Sequence, residues 1–150
     1  MRPVERPVEV KDRSIMDKTI RDILLKAKRI AVVGLSPKND RPSYRVAEYL
    51  MANGYEIIPV NPNCVEIFGK KCYRSLTEVP GDVDIVDIFR KPEEVPPVVD
   101  DAITIRAGVV WMQEGIINEA AARKAREAGL DVVMDRCMLK EHRRLLKGGV

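Results

Sequence analysis

Cysteine is scarce in this chain: Cys64, Cys72 and Cys137 are odd in number and form no CxxC, so neither a disulfide framework nor a zinc site is signalled. Histidine is scarcer still. His142 stands alone, followed by Arg143 and Arg144 on a predicted helix, which points to a solvated or capping role and limits acid–base mechanisms. No Ser/His/Asp set, metal cluster or paired-carboxylate motif stands out, because Asp84 and Asp87 are odd and even along one strand and face opposite sides. An excess of one charge is also missing. With 26 basic and 23 acidic residues the net charge is +3 and no basic stripe forms, so nucleic acid is not an expected partner. No segment approaches the roughly 20 apolar residues of a membrane span, and Met1 to Val10 carry no long apolar core behind their positive charges. Membrane insertion and export are therefore not expected, and the chain reads as cytoplasmic.

What is present is a steady alternation of strand and helix. At 150 residues the chain suits one ordinary domain with a substantial core. Pro3 and Pro7 mark an extended arm over 1–13, with Ser14 as the expected cap of a first helix that carries Ile15, Ile20, Ile23 and Leu24. Strand Ile30 to Val33, helix 43–53 ending at Asn53-Gly54, and strand Tyr55 to Val60 make a βαβ unit. Strands follow at Asp84 to Phe89, Gly108 to Met112 and 131–134, with helices near 94–106, 118–128 and 138–146 between and after them. The expected fold over 14–150 is α/β: a Rossmann-like, doubly wound, five-stranded parallel sheet in three αβα layers. The irregular stretch from Asn61 to Gly81 is the one place for an excursion.

In such a sheet a ligand lies beyond the carboxyl ends of the strands, where the strand order reverses. The most informative segment is Arg29-Ile-Ala-Val-Val-Gly34-Leu-Ser36-Pro37 running to Arg41-Pro42-Ser43-Tyr44. Here a buried-looking strand meets small residues that let the backbone approach a ligand, then a helix start with Pro42 at its first position. Free N–H groups and the positive end of the helix dipole would attract an anion there. The other strand ends are Asn61-Pro62-Asn63, Phe89-Arg90-Lys91, Trp111 to Gly115, and Asp135-Arg136-Cys137. NAD is disfavoured, because only Gly34 of a GxGxxG is present and Asn61, not an acid, ends the second strand. A Walker lysine is missing after Gly34-Leu35-Ser36-Pro37, and Ser36 with Ser43 poorly meets the hydroxyl-rich loop of an FMN site.

The ordered set Val32-Val-Gly-Leu-Ser36 with Arg41-Pro-Ser-Tyr44, Pro59-Val-Asn-Pro62, Asp84-Ile-Val-Asp-Ile-Phe-Arg90, Val110-Trp-Met-Gln-Glu-Gly-Ile116, and Asp135-Arg-Cys137 with Glu141-His142 resembles the small CoA-binding domain proteins. That fold also occurs in the CoA-binding part of succinyl-CoA synthetase and ADP-forming acyl-CoA synthetase subunits, and the likeness spans about residues 20 to 144. The resemblance implies coenzyme A or an acyl-CoA as ligand, with its diphosphate on Gly34, Leu35 and Ser36 and the helix start at Ser43. It implies Arg41 on a phosphate and Tyr44 on apolar parts of the ligand. Val60, Asn61 and Pro62 would border the adenosine, and Phe89 and Arg90 would lie at the third strand end, with Arg90 or Lys91 on the 3′-phosphate. Trp111 and Gln113 would follow the pantetheine arm. Cys137 lies where a CoA thiol could exchange with it, although a packed small hydrophobe is the plainer reading. No catalytic residue and no metal are expected. In the related synthetases a phosphorylated histidine lies in a further domain, so this chain is expected to bind, not to turn over, as a homo-oligomer or beside a synthetase-type partner chain.

Overall fold

The computed structural model describes residues 13–148, so the expected extended arm lies outside the described residues except for Arg13. Helix α1 spans Arg13–Lys26 and includes Ser14, which is therefore inside the helix instead of capping it. It buries Ile20 and Leu24, four residues apart and so on one face. Strand β1 (Arg29–Val33) follows, then α2 (Pro42–Ala52), whose N-cap Arg41 is extended and whose first residue is the proline that needs no intrahelical partner. After β2 (Glu56–Val60), the expected excursion contains a small antiparallel hairpin, β3 (Glu66–Ile67) and β4 (Lys70–Lys71). Its turn uses Phe68 at φ 59 and Gly69 at φ 71, the paired left-handed conformation of a tight hairpin.

The remaining elements are β5 (Ile85–Ile88), α3 (Val95–Thr104), β6 (Val109–Met112), α4 (Glu119–Glu127), β7 (Asp131–Val133) and α5 (Met138–Leu146). Each lies within two residues of its sequence-based bounds. A short 3-10 turn, Pro92–Glu94, precedes α3 and admits Pro96 and Pro97 into the first helical turn, where their missing N–H groups cost nothing. Asn118 caps α4 by accepting a hydrogen bond from the Ala121 backbone at 3.0 Å.

The main sheet is parallel throughout, in the order β2-β1-β5-β6-β7. From β1 the chain winds outward to β2, then returns across β1 to β5, so the order reverses between β1 and β5. Two apolar clusters cover the sheet. Ala31, Val33, Val86, Ile88 and Val110 face α3 and α4, whereas Ile30, Val32, Ile85, Val109 and Trp111 face α1, α2 and α5. Each side chain of this size removed from water contributes about 1.5–3 kcal/mol, so a strand buried on both faces must be apolar at nearly every position. Asp87 breaks that rule. It pairs in register with Val32 and Trp111 in the middle of the sheet and is fully buried.

The expectation for His142 is corrected. It is 4 % exposed, and its Nδ1 lies 2.8 Å from the Tyr49 hydroxyl, with edge-on ring contacts to Tyr49 and Tyr55. The periodicity of α5 explains this: His142 falls four residues after Met138, on the face that packs against α2.

Candidate functional site

The reversal point is built on a contact that only glycine permits. Gly34 has φ +89, and a Cβ there would stand 2.3 Å from the Phe89 carbonyl oxygen and 3.2 Å from Arg90 Cδ. The ends of β1 and β5 therefore close directly on one another, while the Gly34 N–H donates to the Val60 carbonyl at 2.9 Å and ties in β2. Beyond Gly34 the chain turns into α2. The Ser36 N–H donates to Ser43 Oγ at 3.0 Å, and the Lys38 N–H donates to Ser36 Oγ at 3.1 Å. Both hydroxyls thus accept from local backbone N–H groups and hold the turn. The N–H groups of Ser43 and Tyr44, in the first turn of α2, have no intrahelical acceptor.

Against this junction lies a cavity of about 390 Å³ lined by Val33, Gly34, Val60, Pro62, Arg74, Ser75, Leu76, Arg90, Glu93, Glu94, Pro97, Val98 and Asp101. Val60, Pro62, Leu76, Pro97 and Val98 give it apolar walls. Arg74 and Arg90 bring two guanidinium groups to its rim. Arg90 Nε is buried without a hydrogen-bond partner and stands 4.0 Å from Glu94 Oε1, too far for a normal hydrogen bond. Glu93, Glu94 and Asp101 make the α3 wall acidic, and burial, with neighbouring Asp100, raises the Asp101 pKa.

The expected site residues divide into three groups. Gly34, Val60, Pro62 and Arg90 line the cavity together, and Ser36 with Ser43 forms the turn beside it. Arg41 is exposed at the start of α2, Phe89 is half-buried behind Gly34, and the Tyr44 ring packs on Phe68 of the hairpin at 4.4 Å. The third group points elsewhere. Leu35 is wholly in the core, although its carbonyl accepts from Asn61 Nδ2 at 2.9 Å. Asn61 Oδ1 accepts from the Asn63 N–H, so both ends of that amide hold the loop. Trp111 is fully buried and donates through Nε1 to the Arg136 carbonyl at 2.7 Å, so its ring is core and not an open wall. Gln113 is also buried and donates through Nε2 to Asp87 Oδ1 at 2.8 Å.

Two relevant residues escaped the sequence reading, and a third, Asp87, entered it only as half of a carboxylate pair that cannot form. Arg74 and Ser75 belong to the irregular 61–81 stretch, where no periodicity marks a position; they reach the site because Tyr73 bridges to β2, its N–H on the Pro59 carbonyl and its carbonyl on the Asn61 N–H. Asp87 carried a signal, an acid inside the run Ile85-Val-Asp-Ile88. Its Oδ2 is buried without a partner, and burial pushes its pKa up to about 8, opposed by the Gln113 hydrogen bond.

The family model described as CoA binding domain matches residues 28–143, which contain every strand, helices α2, α3 and α4, and the first six residues of α5. This chain belongs to the CoA-binding domain family. As such a domain it is 45 % identical over 123 residues to the uncharacterized protein YneT of Bacillus subtilis, covering 82 % of this chain and 91 % of that one. A hypothetical protein from Pyrococcus horikoshii OT3 superposes with a TM-score of 0.86 at 43 % identity, covering 97 % of this chain and 99 % of the other. The ADP-forming acetate–CoA ligase II of Archaeoglobus fulgidus is 36 % identical over 95 residues, which are 61 % of this chain and only 14 % of the ligase. The CoA-binding domain therefore recurs as a small part of a far longer ligase. Among the described residues no helix is long and apolar enough to cross a membrane, and no group of His, Cys, Asp and Glu is arranged to hold a metal.

Proposed function

We propose that the protein binds coenzyme A or an acyl-CoA at the carboxyl ends of β1, β2, β5 and β6 and carries out no turnover of its own. The observation that carries this reading is the reversal-point cavity, which sets apolar walls and two arginines beside a glycine turn and a helix start. A CoA diphosphate meets the backbone between Gly34 and Ser36 and the free N–H groups of α2, where the helix dipole adds its positive end. The adenosine takes the cavity between Val60, Pro62 and Leu76. Arg90, with Lys91 following it, serves the 3′-phosphate, and Arg74 joins them from the opposite rim. The pantetheine arm then runs toward the ends of β6 and β7.

A second reading makes the chain the CoA-site component of a synthetase assembled from separate chains, favoured by its likeness to part of an ADP-forming ligase. The only histidine of the sequence is buried against Tyr49, so a phosphoryl-accepting histidine would have to come from a partner. Titration calorimetry of ligand-free protein with CoA, acetyl-CoA, NAD and ATP tests the binding that both readings require. Micromolar or tighter binding of CoA, with no heat from NAD or ATP, is expected. Binding of NAD alone would overturn the CoA reading. A preference for acetyl-CoA over CoA would assign the acyl form as the physiological ligand.

A further inference from the structure

Three hydrogen bonds pin the turn between β7 and α5 to the end of β6. The Arg136 N–H donates to the Met112 carbonyl at 3.3 Å, Trp111 Nε1 donates to the Arg136 carbonyl at 2.7 Å, and the Gly115 N–H donates to Asp135 Oδ1 at 2.7 Å. Cys137, the next residue, is thereby fixed at the N-cap of the nine-residue helix α5, half-buried, its side chain making no capping hydrogen bond. On the strand side lies Asp87, fully buried, its Oδ1 held by Gln113 and its Oδ2 without a partner; it pairs in register with Trp111, whose indole holds the Arg136 carbonyl one residue before Cys137. The other two cysteines differ. Cys72 is buried with its sulfur on the Asn61 carbonyl at 3.5 Å, and Cys64 lies in the loop after β2. Only Cys137 combines partial exposure, a helix start and an unsatisfied buried carboxyl at a strand end.

We propose that Cys137 is a thiol-exchange site that captures the pantetheine half of a low-molecular-weight disulfide, beside the buried pair Asp87 and Gln113. The inference rests on the CoA reading for its direction, since a pantetheine arm laid along the end of β6 ends near β7. In the exchange the Cys137 thiol first loses its proton to water. The thiolate attacks one sulfur of the incoming disulfide, a Cys137 S–S bond forms as the old S–S bond breaks, and the other half leaves as a thiolate that takes up a proton. One disulfide is consumed and one formed, so no further oxidant is needed. Burial, with the charges of Asp87 and Glu114, raises the Cys137 pKa, so little thiolate is present near neutral pH and capture quickens as pH rises. The same thiol is a poor leaving group, so the adduct, once formed, is retained until a reductant removes it.

Intact-mass spectrometry of the reduced, ligand-free protein after exposure to CoA disulfide, with glutathione disulfide in parallel, tests this. The expected result is one CoA adduct per chain, mapped to the Cys137 peptide, reversed by dithiothreitol, and formed at least tenfold faster than the glutathione adduct. Cys137→Ser removes it and keeps the helix, because serine is a favoured N-cap, while Cys64→Ser leaves it unchanged. No adduct at Cys137, or one confined to Cys64, overturns the inference even where calorimetry shows CoA binding. Equal rates from both disulfides at Cys137 would uphold the exchange site while removing the CoA guidance, so the two readings fail separately.

Discussion

Gly34 is the residue on which the site depends most directly. Alanine there would need a left-handed φ and would press its Cβ into the Phe89 carbonyl, so Gly34→Ala is expected to cost about 2 kcal/mol or more in urea unfolding and to abolish CoA binding in calorimetry. Arg74→Ala and Arg90→Ala each remove one guanidinium from the cavity rim. A tenfold loss of CoA affinity per substitution, about 1.4 kcal/mol, with unfolding midpoints unchanged, is the expected outcome. Unchanged affinity in both would place the phosphates elsewhere. Asp87 makes a different prediction. Its folded pKa is raised, so between about pH 4 and about pH 8 the folded state holds a proton that the unfolded chain has released, and this group lowers stability as pH rises through that window. Asp87→Asn keeps an acceptor for Gln113 but cannot ionise, so its gain in stability over the wild type should be larger at pH 8 than at pH 5. A constant difference across that range would contradict a protonated Asp87.

Among the elements, the packing of α5 on α2 answers to one titration. Burial depresses the His142 pKa below its usual 6.5, with Lys147 adding to the effect, so the stability tied to neutral His142 is present above pH 6.5 and is lost as pH falls below it. Replacing His142 by Gln should flatten the acid limb of the stability curve below about pH 6.5, read from urea midpoints at each pH. Element order, and bounds to within two residues, were legible because the sheet strands are short apolar runs, with Gly34 and Asn61 ending the first two, and each helix has one apolar face. Pro42 and Asn118 mark their helix starts openly. The exposure of a single helical position is less legible: His142 sits among charged neighbours, and only the docking of α5 decides that it is buried. Likewise the strand-end rule reaches Gly34, Val60, Pro62 and Arg90, yet cannot tell Trp111, turned into the core, from a wall of the cavity. Arg74 arrives through a bridge from Tyr73 to the edge of β2, a long-range contact with no local pattern.

At the scale of the whole molecule, a ligand that binds only the folded state stabilises it by mass action. CoA at 100 times its dissociation constant should add about 2.7 kcal/mol, roughly 5–10 °C in melting temperature for a chain of this size, and NAD at the same concentration should add nothing. The packing is unequal around the sheet. The four helices that follow β1 each connect or succeed sheet strands, whereas α1 precedes the first strand and is held by side chains: Ile20 and Leu24 in the core, the Tyr55 hydroxyl on the Leu24 carbonyl, and a bidentate Arg144–Asp17 pair at 2.8 and 2.9 Å. Its departure would break no strand pairing. In hydrogen-exchange terms, the amides of α1 should open as a unit well below the free energy of global unfolding, while those of β1, β5 and β6 exchange only when the entire chain unfolds, and Arg144→Ala should quicken the first process without touching the second.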